Sequence, residues 1–156
     1  MKITSREAAN GTQETLTTST IMYYRANKHE RNTMIKLLTL VRTNWIAFTM
    51  VNLLIITTLY LWPLENLPSV PGTDKTHHLI AYAALMFPTA LRKPDKWIMI
   101  GLLFIAYSGA IELLQPYVSR YGEWLDMAAN TLGIICGLIV AELINRFSPV
   151  TPNRAR

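Results

Sequence analysis

The stretch Glu112–Gly137, ELLQPYVSRYGEWLDMAANTLGIICG, determines how the rest of the chain is interpreted. It places ionisable and amide side chains in an otherwise apolar sequence, namely Glu112, Gln115, Arg120, Asp126 and Asn130. Such groups are costly inside a lipid bilayer, so their presence indicates a function. The stretch ends in Gly133 and Gly137, and this spacing of two small residues is typical of closely packed membrane helices.

The composition is that of a membrane protein. The chain has 156 residues, of which 51% are hydrophobic and 16% charged, and its mean hydropathy is +0.21. The net charge of +5 comes from basic residues that flank apolar runs, so a membrane topology explains it better than nucleic-acid binding does. Cys136 is the single cysteine, which excludes an intramolecular disulfide and a cysteine-based zinc site.

Four apolar segments predict an all-α membrane protein with four transmembrane helices. The first, residues 45–62, carries no charge and is long enough to span about 27 Å as a helix. The others are expected at 74–91, 97–115 and 124–144, with Pro88 kinking or closing the second. A signal peptide is the alternative for the first segment, but Leu61-Trp62-Pro63 is no small-residue cleavage site.

The ends of the chain lack such segments. Residues 1–33 are polar and without apolar periodicity, so we expect a flexible tail, and Met34 is an alternative start of the native protein. The membrane domain is then 34–145, followed by a short basic tail at 146–156.

The basic residues predict the orientation of the helices. With four spans, 13 of the 15 lysines and arginines lie on one side, which is expected to be cytoplasmic. Both termini are therefore expected in the cytoplasm. Lys75 and Arg120 are the basic residues expected on the outer side.

This topology gathers distant polar residues at the outer ends of three helices. The second and fourth helices are expected to start on the outer side of the membrane, and the third is expected to end there. The polar residues near these three helix ends therefore lie at a similar depth in the membrane. We expect a cluster in which Glu112 and His78 are catalytic candidates, with five substrate-binding candidates: Arg120, Asp74, Gln115, Asp126 and Asn130.

Simpler interpretations exist for several of these residues. Asp74 and Asp126 could be N-terminal caps of their helices. Gly133 and Gly137 are expected to serve packing, and Lys75 could be an interface anchor. Glu112 resists such an interpretation, because it lies at the negative end of its helix dipole among apolar neighbours. It requires either a cationic partner or a proton, and a carboxyl group of this kind beside a histidine suits proton transfer.

The pattern resembles the VanZ-like family of small bacterial membrane proteins. The resemblance rests on Asp74-Lys75-x-x-His78-x-x-x-Tyr82, Glu112-x-x-Gln115, Arg120, and Asp126-x-x-x-Asn130-Thr-x-Gly133-x-x-x-Gly137, and it covers roughly 45–144. It implies a four-helix, multi-pass protein of the bacterial cytoplasmic (inner) membrane. The family takes its name from a teicoplanin-resistance protein, which suggests a role in the cell envelope and in glycopeptide resistance.

Three functions are compatible with the sequence. The first is a site that binds or modifies an envelope precursor or lipid head group, without a cofactor. The second is a non-enzymatic scaffold in which the polar cluster only fastens helices together. Movement of ions or solutes is weaker, because the inner halves of the helices contain few polar residues. A metal site from Asp74, His78, Glu112 and Asp126 is conceivable but has no local ligand spacing, so no metal is expected.

Overall fold

The structure is a computed structural model that describes residues 22, 25, 27–62, 74–118 and 123–147. The chain forms two compact units, residues 1–38 and 39–156. The described residues contain helices and no strand, so the all-helical prediction is confirmed for them.

The described part of the first unit is helical. Residues 27–38 belong to a helix, and the side chains from 27 to 37 are exposed. Residues 27–33 lie in the segment that the sequence predicted as a flexible tail; they are helical, and the flexibility of the tail stays a prediction. Lys28, Glu30 and Arg31 are good helix formers without an apolar face, and the periodicity of apolar residues therefore gave no sign of this helix.

From residue 45 onward, the described part of the second unit contains four α-helices. They are α1 (Trp45–Leu61), α2 (Asp74–Arg92), α3 (Trp97–Leu114) and α4 (Trp124–Phe147). A 3-10 turn, Gln115–Val118, follows α3. Helix α4 continues three residues beyond the predicted 144. Helix α2 runs through Pro88 to Arg92, where Lys93 ends it with a φ of 51°.

The apolar surface of these helices is distributed as in a membrane protein. Helix α2 carries histidines and charged residues, yet its His78 is 1% exposed and its Tyr82 and Leu85 are fully buried. Helix α3 is far more apolar, yet Leu103 and Leu113 are 64% and 71% exposed. Polar groups gathered inside and large apolar side chains outside are the arrangement that a lipid environment requires.

Among the residues that the structure describes, two helical segments are long and apolar enough to cross a membrane. They are Trp97–Val118 and Trp124–Phe147. A third span results if Asn27–Thr43 and Trp45–Leu61, which are bent by 78° at their junction, are counted as one. Helix α2 lies outside this set, because polar and charged residues lower its hydropathy.

Helices α2 and α4 pack backbone to backbone through two glycines. A Cβ atom on Gly133 would lie 2.3 Å from the carbonyl oxygen of Leu79, and one on Gly137 would lie 2.3 Å from that of Ala83. Any larger residue would force the helices apart. This close approach lets short polar side chains of α2 and α4 meet directly.

Further polar contacts lie at the C-terminal ends of α2 and α4. Arg42 donates from Nη2 to Oδ1 of Asn145 at 2.5 Å, and Lys93 Nζ lies 2.6 Å from Glu142 Oε2. A cavity of about 390 Å³ lies among these residues.

Candidate functional site

Four of the predicted site residues converge from three helices. His78 lies one turn into α2, Glu112 lies near the end of α3, and Asp126 and Asn130 lie in the first turns of α4. His78, Asp126 and Asn130 are at most 3% exposed, and the side chain of Glu112 is 11% exposed. We call His78, Glu112, Asp126 and Asn130 the polar cluster.

Asn130 is the hub of the polar cluster. Its Oδ1 lies 3.0 Å from His78 Nδ1, and its Nδ2 donates to Ser108 Oγ at 2.8 Å and to Glu112 Oε1 at 3.5 Å. An amide oxygen only accepts hydrogen bonds, so His78 carries a proton on Nδ1. One side chain thus joins α2, α3 and α4 and fixes the histidine tautomer.

The two carboxylates approach different nitrogens of the imidazole. Glu112 Oε1 is 3.9 Å from His78 Nδ1, and Asp126 Oδ2 is 3.9 Å from His78 Nε2. Both distances exceed a direct hydrogen bond. A small group between these atoms could therefore bridge the histidine and a carboxylate.

Lys75 connects the polar cluster to the surface. Its Nζ lies 3.0 Å from Glu123 Oε2 and 3.7 Å from Asp126 Oδ1. The side chain of Lys75 is 45% exposed and that of Asp126 is 4% exposed. The interpretation of Lys75 as an interface anchor omitted this contact with a buried acid.

Two residues outside the predicted set complete the surroundings of His78. The Tyr60 ring on α1 stacks on the imidazole, with centroids 4.2 Å apart and planes at 18°. Ser108 is fully buried and contacts Asn130. Ser108 precedes Glu112 by one helical turn, so the spacing could have revealed it. No sequence signal gives the rotation of α1 that brings in Tyr60.

The remaining predicted residues are placed differently. Gln115 begins the 3-10 turn and is 1% exposed, and its Oε1 has no hydrogen-bond partner among the residues that the structure describes. Asp74 is the first residue of α2, but its side chain lies outside the described part of the chain. Arg120 also lies outside it. Their predicted roles stay predictions.

An apolar cleft of about 370 Å³ opens beside Glu112, between α3 and α4. Leu113 and Trp124, two of its lining residues, are 71% and 84% exposed, so the cleft faces the apolar surface of the helices. Glu112 belongs to the cleft wall and also to the polar cluster. The full lining is Gly109, Glu112, Leu113, Pro116, Glu123, Trp124 and Met127.

A family model described as VanZ/LLP1 matches residues 13–145. Neither the curated proteins nor the solved structures give a significant match.

Proposed function

The chain belongs to the VanZ/LLP1 family, and we propose that it binds the polar head of a lipid-linked envelope component at the outer face of the bacterial cytoplasmic membrane. In this proposal α1 to α4 each cross the membrane, and both termini lie in the cytoplasm. The distribution of basic residues supports this orientation, because Arg92, Lys93, Lys96 and Arg146 lie at the end of the helices opposite the polar cluster.

One observation carries the proposal: the Glu112 side chain belongs both to the polar cluster and to the wall of the apolar cleft. Its carboxylate meets His78 and Asn130 inside the helix bundle, and its side chain also lines the apolar cleft. A molecule with an apolar chain and a polar head fits such a site, since the chain would occupy the cleft and the head would reach Glu112. Ligand sites typically combine an apolar wall with a few polar groups in this way.

A phosphate or carboxylate head group finds a cation at this site. Lys75 lies within 3.7 Å of Asp126 and is partly exposed, so it can turn toward a bound anion. Arg120 is the second predicted cation, and Gln115 and Asp74 complete the predicted binding set. Asp126 and Asn130 would orient Lys75 and His78.

His78 and Glu112 are the proposed proton-transfer pair. Glu112 Oε1 lies 3.9 Å from His78 Nδ1, so a ligand hydroxyl or a water between them would carry the proton. Such chemistry would modify the bound component. A role in glycopeptide susceptibility would then follow from a change in the envelope.

Blocking the cleft tests the proposal. Gly109 lines the cleft, and a Cβ atom there meets nothing within 4 Å, so Gly109→Leu fills the cleft without a clash at Cβ. Ala110→Leu adds the same bulk at the next, exposed position. Native mass spectrometry of the full chain should show binding of a polyprenyl phosphate over the matching polyprenol, lost in Gly109→Leu and kept in Ala110→Leu. Equal binding of both lipids would contradict the proposal.

A scaffold is the second candidate function, favoured by the hydrogen bonds of Asn130 to α2 and α3. If the polar cluster only fastens helices, Glu112→Gln should lower the melting temperature, and any envelope phenotype should follow the amount of folded protein. The binding proposal instead expects Glu112→Gln to abolish the phenotype at unchanged protein level. Cell-surface phenotype and melting temperature, measured on the same variant, separate the two functions.

A further inference from the structure

We propose that His78, Glu112 and Asp126 bind one divalent ion of a first-row transition metal. Each of the three side chains offers a ligand atom, and these atoms lie within 4.8 Å of one another. They come from α2, α3 and α4, which is why no local spacing in the sequence reveals a metal motif.

The hydrogen bond of His78 prepares it as a ligand. With a proton on Nδ1 held by Asn130 Oδ1 at 3.0 Å, the imidazole can bind a metal through Nε2, which lies on the side of Asp126. Histidines that bind metals typically donate their other ring N–H to a carbonyl or carboxylate in this way. Asn130 thus acts as a positioning residue for the metal ligand.

The charges of the site also favour a cation. Among the described residues, the carboxylates of Glu112, Glu123 and Asp126 lie around the single lysine Lys75 and the imidazole of His78. Lys75 is shared between Glu123 and Asp126. A dication between the two more buried carboxylates offsets the cost of keeping both charged.

The donor atoms select the class of metal. One imidazole with two carboxylates suits zinc or manganese, whereas calcium and magnesium prefer sites made of oxygen alone. Two ligands of one tetrahedral zinc ion lie about 3.3–3.6 Å apart. The three ligand atoms, within 4.8 Å of one another in the structure, would therefore move together by up to about 1.5 Å on binding.

The cation also gives the site a second means of holding a phosphate. Glu112 lines the cleft, so a metal held by Glu112 would present open coordination positions to a head group there. This step rests on the proposed function, whereas the metal site rests on geometry alone. In the metal-loaded state His78 and Glu112 are ligands, and proton exchange belongs to the metal-free state.

Metal titration of the purified full-length protein, without added lipid, tests the proposal. After removal of metals with a chelator, ZnCl₂ and MnCl₂ are titrated by calorimetry, with MgCl₂ as the comparison. We expect saturable binding of about one zinc or manganese ion per chain and a higher melting temperature on binding. Glu112→Gln and Asp126→Asn should each weaken binding at least tenfold, and Asn130→Ala should weaken it about 10- to 100-fold. Glu142→Gln, an exposed acid at the other end of α4, should leave binding unchanged.

Absence of saturable zinc and manganese binding by the unmodified protein would overturn the proposal, whatever the variants do. Unchanged affinity in both Glu112→Gln and Asp126→Asn, with melting curves that show folded protein, would also overturn it. If the protein binds metal but does not bind polyprenyl phosphate, the result supports the metal site and contradicts the proposed function. If it binds polyprenyl phosphate but no metal, the result supports the proposed function and contradicts the metal site.

Discussion

The Nδ1 atom of His78 lies 3.0 Å from the Oδ1 atom of Asn130, and this pair is buried where α2 meets α4. Because the amide nitrogen of Asn130 also donates to Ser108 and Glu112, rotation of the amide would break all three contacts at once. The imidazole is therefore fixed in orientation as well as in tautomer. Stacking on Tyr60 holds the ring from a third direction.

Asn130→Ala is expected to destabilise the protein by about 1–3 kcal/mol, because it leaves buried groups of His78 and Ser108 without their amide partner. Thermal unfolding in detergent measures the change. Asn52→Ala is the control, since the Asn52 amide donates to the Phe48 carbonyl of its own helix. Equal melting temperatures for the two variants would contradict the role of Asn130 as the hub.

The sequence could predict which helix ends carry the polar cluster but not all of its contacts. Apolar runs locate the four helices, and the alternation of their directions brings His78, Glu112 and Asp126 to one end. The rotation of each helix about its axis depends on packing partners, so the stacking of Tyr60 on His78 was not foreseeable. The helical residues 27–33 were missed because a helix without an apolar face has no periodic signal.

Gly133→Ala is expected to destabilise the protein, because its Cβ would lie 2.3 Å from the Leu79 carbonyl oxygen. Separation of α2 from α4 should cost about 1–3 kcal/mol. Gly109→Ala is the matched control, since its Cβ meets nothing within 4 Å. That variant should be stabilised by about 0.5–1 kcal/mol through higher helix propensity. Thermal unfolding of both variants should thus give shifts of opposite sign, and equal shifts would refute close packing at Gly133.

Lys75→Ala and Lys93→Ala form a matched pair for testing the anion site. Each lysine is partly exposed, at 45% and 41%, and each pairs with an exposed glutamate. They lie at opposite ends of α2. Loss of the Lys93–Glu142 ion pair should change the free energy of unfolding by less than about 1 kcal/mol. Lys75→Ala should cost more, because it also removes the cation 3.7 Å from the buried Asp126.

Their effects on lipid binding should differ. Lys75→Ala should weaken polyprenyl phosphate binding by about fivefold, equivalent to ~1 kcal/mol for a partly exposed charge, and Lys93→Ala should leave it unchanged. A parallel loss in both variants would indicate a general effect of net charge. Binding is measured by titration of the lipid into protein in neutral detergent.

The proposed topology predicts which ends of the helices react with a membrane-impermeant maleimide. In a Cys136→Ser background, Glu123→Cys marks the end that carries the polar cluster, and Asp95→Cys marks the turn before α3; both positions are exposed. Glu123→Cys should react in right-side-out membrane vesicles and Asp95→Cys in inside-out vesicles.

The unmodified protein is an internal control, because Cys136 is exposed in the middle of α4 and would face lipid. It should stay unlabelled in both preparations, since water-soluble reagents do not reach that depth. Labelling of Glu123→Cys and Asp95→Cys from the same side would exclude an odd number of membrane crossings between the two positions, and with it the four-span arrangement.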